Sequence, residues 1–107
     1  MRILLDECLP RRLRQELPGH DVHTVPEMGW SGKKNGELLQ LMPGQRFEVL
    51  LTVDQSIRHQ QNLQAAGVAL VVLISPSNHL ADLVPFMRSV QAALGSLKPG
   101  DVVEITT

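Results

Sequence analysis

The chain has 107 residues, 43% of them hydrophobic and 20% charged, which is the composition of a folded domain rather than a disordered segment. A formal net charge of -1 excludes long-range attraction of the whole molecule to nucleic acid, so any such contact must be local. A lone cysteine, Cys8, excludes an internal disulfide and a cysteine-rich zinc site, and no apolar run approaches the roughly 20 residues needed to cross a bilayer. These features, with no charged leader ahead of the first apolar run, predict a cytoplasmic protein of one domain spanning residues 1–107.

In chain order, "RILL" (2–5) is a short apolar run bounded by charge and predicts a buried strand. After Pro10, Leu9, Leu13 and Leu17 recur four apart and predict a short amphipathic helix ended by Pro18 and Gly19. "HDVHTV" (20–25) alternates as a half-exposed second strand does, and "PEMGWSGKK" reads as a loop. "NGELLQLM" (35–42) predicts a helix with Asn35 as N-cap and Glu37 in the dipole-favoured first turn. "EVLLTV" (48–53) is a third strand ending at Asp54, and Ser56 opens a short helix that closes in glycine. "VALVVLI" (68–74) is the most apolar strand, a helix is expected over about 79–94 with Pro85 in its first turns, and "DVVEI" (101–105) is a last, edge strand.

Alternating strands and helices with long crossovers and no hairpin signal predict a three-layer α/β sandwich with a mostly parallel sheet. Ligands in such sheets bind beyond the carboxyl ends of the strands, where strand order reverses. An order of 2-1-3-4 makes the first and third strands neighbours there. Asp6 and Glu7 leave the first strand and Asp54 leaves the third, so the acids meet on one rim. Alone, each acid reads as a helix cap. Together, crowded carboxylates repel unless a cation neutralises them, and oxygen-only ligands select a hard ion such as Mg²⁺ or Mn²⁺. Glu37, opening the second helix on the same rim, is the third candidate.

The stretches "MRILLDECLPRRLRQELPGHDVHTV", "GWSGKKNGELLQL" and "VLLTVDQSI" resemble small PIN-like domain proteins, whose pattern runs "LLDENLP", a "GHDV" strand, an acid opening a helix, and "TxDxDF". The resemblance covers about residues 1–75 and rests on three motifs in order. It implies a PIN-like Rossmannoid fold and a Mg²⁺- or Mn²⁺-dependent ribonuclease, in many members the toxin paired with a small antitoxin protein. Asp6 matches the first acid and Asp54 the acid of "TxD". The helix acid falls on Asn35, with Glu37 two residues on, the second acid of "DxD" falls on Ser56, and the Asn of "DENLP" is Cys8.

Asp6, Glu37 and Asp54 are therefore the expected catalytic and metal-holding residues, with Glu7, Asn35 and Ser56 behind them. Arg11 and Arg12, with Arg14 beside them, and Lys33, Lys34 and His59 are the expected contacts to RNA phosphates and bases. His20, His23 and His79 show no zinc-like spacing, and Trp30 reads as a loop anchor. The competing reading is a non-catalytic PIN-like binding module with a decayed metal pocket, gripping a partner protein or RNA. The spacing of Leu83, Phe86, Met87, Val90 and Leu94 predicts core packing, with pairing into a homodimer as the alternative.

Overall fold

The computed structural model describes residues 1–59 and 63–106, and for 58 and 59 the backbone alone. Five strands, β1 (Arg2–Leu5), β2 (Asp21–Thr24), β3 (Val49–Thr52), β4 (Ala69–Leu73) and β5 (Val102–Ile105), form one sheet in the order β2-β1-β3-β4-β5. Every pairing is parallel, with Leu5 opposite Thr24 on one side and Leu51 on the other. β1 and β3 are neighbours at the point where strand order reverses, as expected. The predicted strands agree with the observed ones to within a residue at either end.

Because successive strand side chains face opposite ways, the near-continuous apolar strands feed two cores. Leu4, Leu50, Leu70 and Val72 face helix α1 (Asn35–Leu41), where Leu38, Met42, Phe47 and Ile57 join them. Ile3, Leu5, Val49, Leu51, Val71 and Leu73 face the other layer, with Leu13, Phe86, Met87, Val90 and Leu94. The result is the three-layer sandwich that the pattern predicts.

Three helices differ from expectation. The arginine-rich segment after Pro10 is a 3₁₀ helix, Arg11–Glu16, not an α-helix. Pro18 pushes Leu17 out of the α region, so the segment has no following turn into which α-helical bonds could continue. The segment opened by Ser56 begins as a 3₁₀ turn, Gln55–His59, and ends as α2 (Leu63–Ala66), with 60–62 of the expected helix outside the described residues. The long helix over 79–94 is broken into α3 (Leu80–Leu83), a 3₁₀ turn (Val84–Phe86) and α4 (Met87–Leu94). Pro85 has no N–H to give, and its ring crowds the carbonyl four residues back. Leu83, Phe86, Met87, Val90 and Leu94 are all buried against this chain's own sheet, so the stripe that offered a homodimer face is spent on the core. No helix among the described residues is long and apolar enough to cross a membrane.

Candidate functional site

The ladder between β1 and β3 extends one residue past β1, where the Asp6 N–H donates to the Leu51 carbonyl at 2.9 Å. This pins Asp6 beside Thr52. Asp6 is only 8% exposed; its Oδ1 accepts the Glu7 N–H at 2.8 Å and its Oδ2 accepts the Thr52 hydroxyl at 2.7 Å. Thr52, fully buried, accepts in turn the Asp54 N–H at 3.0 Å. One hydroxyl thus joins the two aspartates through a donated and an accepted bond. Thr52 was not among the expected site residues. The signal that could have singled it out is a hydroxyl at the last position of an otherwise apolar strand, two residues before an acid.

Replacing Thr52 by valine keeps the shape of the side chain and removes both bonds. Each buried group left without its partner costs about 1–3 kcal/mol, whereas Thr52→Ser keeps the hydroxyl and should cost less. Urea unfolding of the two variants checks this; equal destabilisation would mean that the bridge contributes nothing beyond packing.

Asp54 lies at the start of the Gln55–His59 turn. Its Oδ1 accepts the Ser56 hydroxyl at 2.7 Å and the Ser56 N–H at 3.0 Å, and its Oδ2 accepts the Asn35 amide at 3.0 Å. The Ser56 hydroxyl above all, with the Ser56 N–H and the Asn35 amide, holds its pKa below the ordinary aspartate value, against an opposing effect of burial that outweighs either of the two lesser bonds alone. A carboxyl with a depressed folded pKa adds stability that is complete above the ordinary value of 3.8 and vanishes as pH falls through the lower folded value. The parent should therefore exceed Ser56→Ala in urea midpoint at neutral pH, and the gap should narrow as pH falls below the ordinary aspartate value. A gap independent of pH would trace the effect of Ser56 to something other than the Asp54 charge.

The remaining candidates do not all converge. Asn35 is not the N-cap; Lys34 holds that place, and Asn35, the first helical residue, is freed to reach Asp54. Glu37, expected as a third metal-holding acid, turns back on its own helix and accepts the Lys34 N–H at 3.0 Å, as one half of a capping box does. Glu7 accepts the Gly32 N–H at 2.9 Å and so fastens the loop carrying Trp30, Lys33 and Lys34 to the end of β1. Gly32 has φ +81°, a left-handed conformation that suits glycine. Trp30 is half-buried and meets Phe47 edge to face, the anchor expected of it. A contact the sequence reading lacked comes from the loop after β4, where the Asn78 amide donates to the Cys8 carbonyl at 2.9 Å. Burial pushes the Cys8 thiol pKa up.

Lys33, Lys34, Arg11 and Arg12 are exposed. Arg11 and Arg12 line an open concavity of about 480 Å³ with Arg14, Gln15 and Glu27, where Arg14 pairs with Glu27. His59's side chain falls outside the described residues. His20 faces the terminal ammonium at the start of β1, and the His23 side chain is taken up by Asp21 beside Arg2. A concavity of about 1150 Å³ between α2 and the start of β5 also lies away from Asp6 and Asp54.

Among the described residues, no three His, Cys, Asp or Glu side chains stand together as a metal cage, and Glu37, expected with Asp6 and Asp54, is bonded to its own helix. The pair itself keeps limited capacity. Of the roughly four lone-pair sites on a carboxylate, Asp6 uses two and Asp54 three in the bonds above. Mg²⁺ usually keeps several waters and needs one or two carboxylates plus substrate phosphates. The donor set fits a hydrated cation shared with a phosphate; it does not fit one caged by protein alone.

A family model described as a PIN-like domain matches residues 1–74. No curated protein and no solved structure matches the chain.

Proposed function

This chain belongs to the PIN-like domain family, and from that premise we propose that it is a metal-dependent ribonuclease acting at the Asp6–Thr52–Asp54 rim with Mg²⁺ or Mn²⁺. The observation that carries the proposal is the shared Thr52 hydroxyl, which ties two strand-end aspartates together on the carboxyl rim of the sheet. A divalent cation bound there would neutralise charge on the scissile phosphate and lower the pKa of an attacking water. Asp6 and Asp54 hold that charge in place. Asn35 and Ser56 orient the Asp54 carboxylate, and the Glu7 bond to Gly32 keeps the lysine loop close by. Arg11, Arg12, Lys33 and Lys34 grip phosphates beside the rim, and His59 is a further proposed contact. Local cations of this kind give RNA affinity to a chain whose net charge is -1.

The protein partner that suits this reading is an antitoxin covering the rim, and the compartment is the cytoplasm, where the single cysteine would stay reduced. A second reading, a non-catalytic module that grips RNA or a protein, is favoured by one observation: the neutral donors of Asn35 and Ser56 stand against Asp54 where more carboxylates would strengthen a metal site.

Incubation of the purified protein with single-stranded RNA separates the two. Cleavage that appears with Mn²⁺, stops with EDTA and persists in Glu37→Gln is expected, because glutamine still accepts the Lys34 N–H. RNA or partner binding with no cleavage at any Mn²⁺ concentration would leave the binding module as the reading. Loss of cleavage in Glu37→Gln at unchanged stability would return Glu37 to the metal site.

A further inference from the structure

Asp54 holds a charged carboxylate whose bonding partners among the described residues are all neutral: the Ser56 hydroxyl, the Ser56 N–H and the Asn35 amide. They approach both of its oxygens. A hydrogen bond to an ionised group is stronger than a neutral one and can stabilise an anion that has no cation partner. A carboxylate so satisfied has less to gain from an ion, and occupied lone pairs leave fewer directions from which one can approach. Affinity for hard cations rises with the number of charged ligands, and here two positions within hydrogen-bonding distance of Asp54 carry none.

We infer that Asn35 and Ser56 take the place of a resident cation at Asp54, so that the free chain retains no divalent ion and acquires one only together with a phosphate-bearing strand. The second half rests on the proposed nuclease reading; the first stands without it. Asn35 and Ser56 are positioning residues, acting through the carboxylate that they hold. An acid at either position would replace a donor with a third carboxylate against Asp54. Repulsion would then lower stability without metal, and the same charge would create an ion site.

The test is calorimetric titration with MnCl₂ of the parent, Asn35→Asp, Ser56→Asp and Asn35→Ala, with thermal midpoints measured alongside. The parent is expected to bind Mn²⁺ no tighter than about 1 mM, the range of weak oxygen-ligand sites. Asn35→Asp and Ser56→Asp should bind at least about tenfold tighter, and Mn²⁺ should raise their midpoints more than the parent's, as preferential binding to the folded state requires. Asn35→Ala, which loses the donor and gains no charge, should stay within about twofold of the parent. Should either acidic variant unfold without metal, refolding by Mn²⁺ but not by KCl of equal ionic strength supports the inference.

Tight Mn²⁺ binding by the parent, acidic variants that bind no tighter or do not refold with Mn²⁺, or an alanine variant as tight as Asn35→Asp would each overturn it. RNA cleavage enters none of these arms, so a parent that cuts no RNA refutes the nuclease reading and leaves the first half intact. The second half has its own arm, in which an uncleavable 2′-O-methyl RNA should tighten Mn²⁺ binding to the parent. No change with that RNA overturns the second half alone.

Discussion

An Asp6→Asn protein is expected to stay folded and to lose RNA cleavage in Mn²⁺ by two to three orders of magnitude. Stability is nearly kept because asparagine can repeat both bonds: its carbonyl accepts the Glu7 N–H, and its amide donates to the Thr52 hydroxyl, which rotates to receive it. Re-pairing of this kind costs about 1 kcal/mol. What disappears is the negative charge. If the charge helps to hold a cation against a phosphate, its loss removes several kcal/mol of transition-state stabilisation, and each 1.36 kcal/mol is a factor of about ten in rate. Asp54→Asn should behave alike, with cleavage followed on a labelled RNA and folding by circular dichroism. Cleavage at the parent's rate by a folded Asp6→Asn protein would remove the rim from the mechanism.

The largest loss of stability is expected from Leu50→Ala. Leu50 is fully buried at the middle of β3, paired with Leu4 of β1 and Leu70 of β4, and packed toward α1. Neighbours on both flanking strands prevent the site from collapsing around the smaller side chain. Core Leu→Ala changes cost about 2–5 kcal/mol, a large share of the roughly 5–15 kcal/mol that holds a domain together. At about 4–8 °C per kcal/mol for a small domain, the melting temperature should fall by at least about 10 °C. Val84→Ala, at a position 37% exposed, should change stability by no more than about 0.5 kcal/mol. A melting curve for each protein checks the contrast. A Leu50→Ala midpoint within a few degrees of the parent's would mean that the sheet interior can repack after all.

These two sites also divide what was legible in the chain from what was not. Strand positions could be read because burial on both faces demands unbroken runs such as "RILL" and "ALVVL", and few other environments tolerate them. The meeting of Asp6 and Asp54 on one rim could be read too, since parallel strands linked by right-handed crossovers deliver their carboxyl ends to the same edge. Helix type was less legible. Apolar spacing of four suits an α-helix, yet the short arginine segment before Pro18 tightened into a 3₁₀ helix, and Pro85 cut a long helix in three.

By itself, then, the sequence determined the layers, the parallel sheet, the strand ends and which residue types reach the carboxyl rim, because these follow from periodicity and chain reach. Only the tertiary structure decided which donor each carboxylate accepts. Glu37 and Asn35 lie two residues apart at the start of one helix, but Glu37 caps its own backbone while Asn35 crosses to Asp54, and Thr52 joins two strands distant in the chain. The physical reason is reach: a hydrogen bond is made or lost within a few tenths of an ångström, and composition and spacing place side chains no more finely than an element and a face.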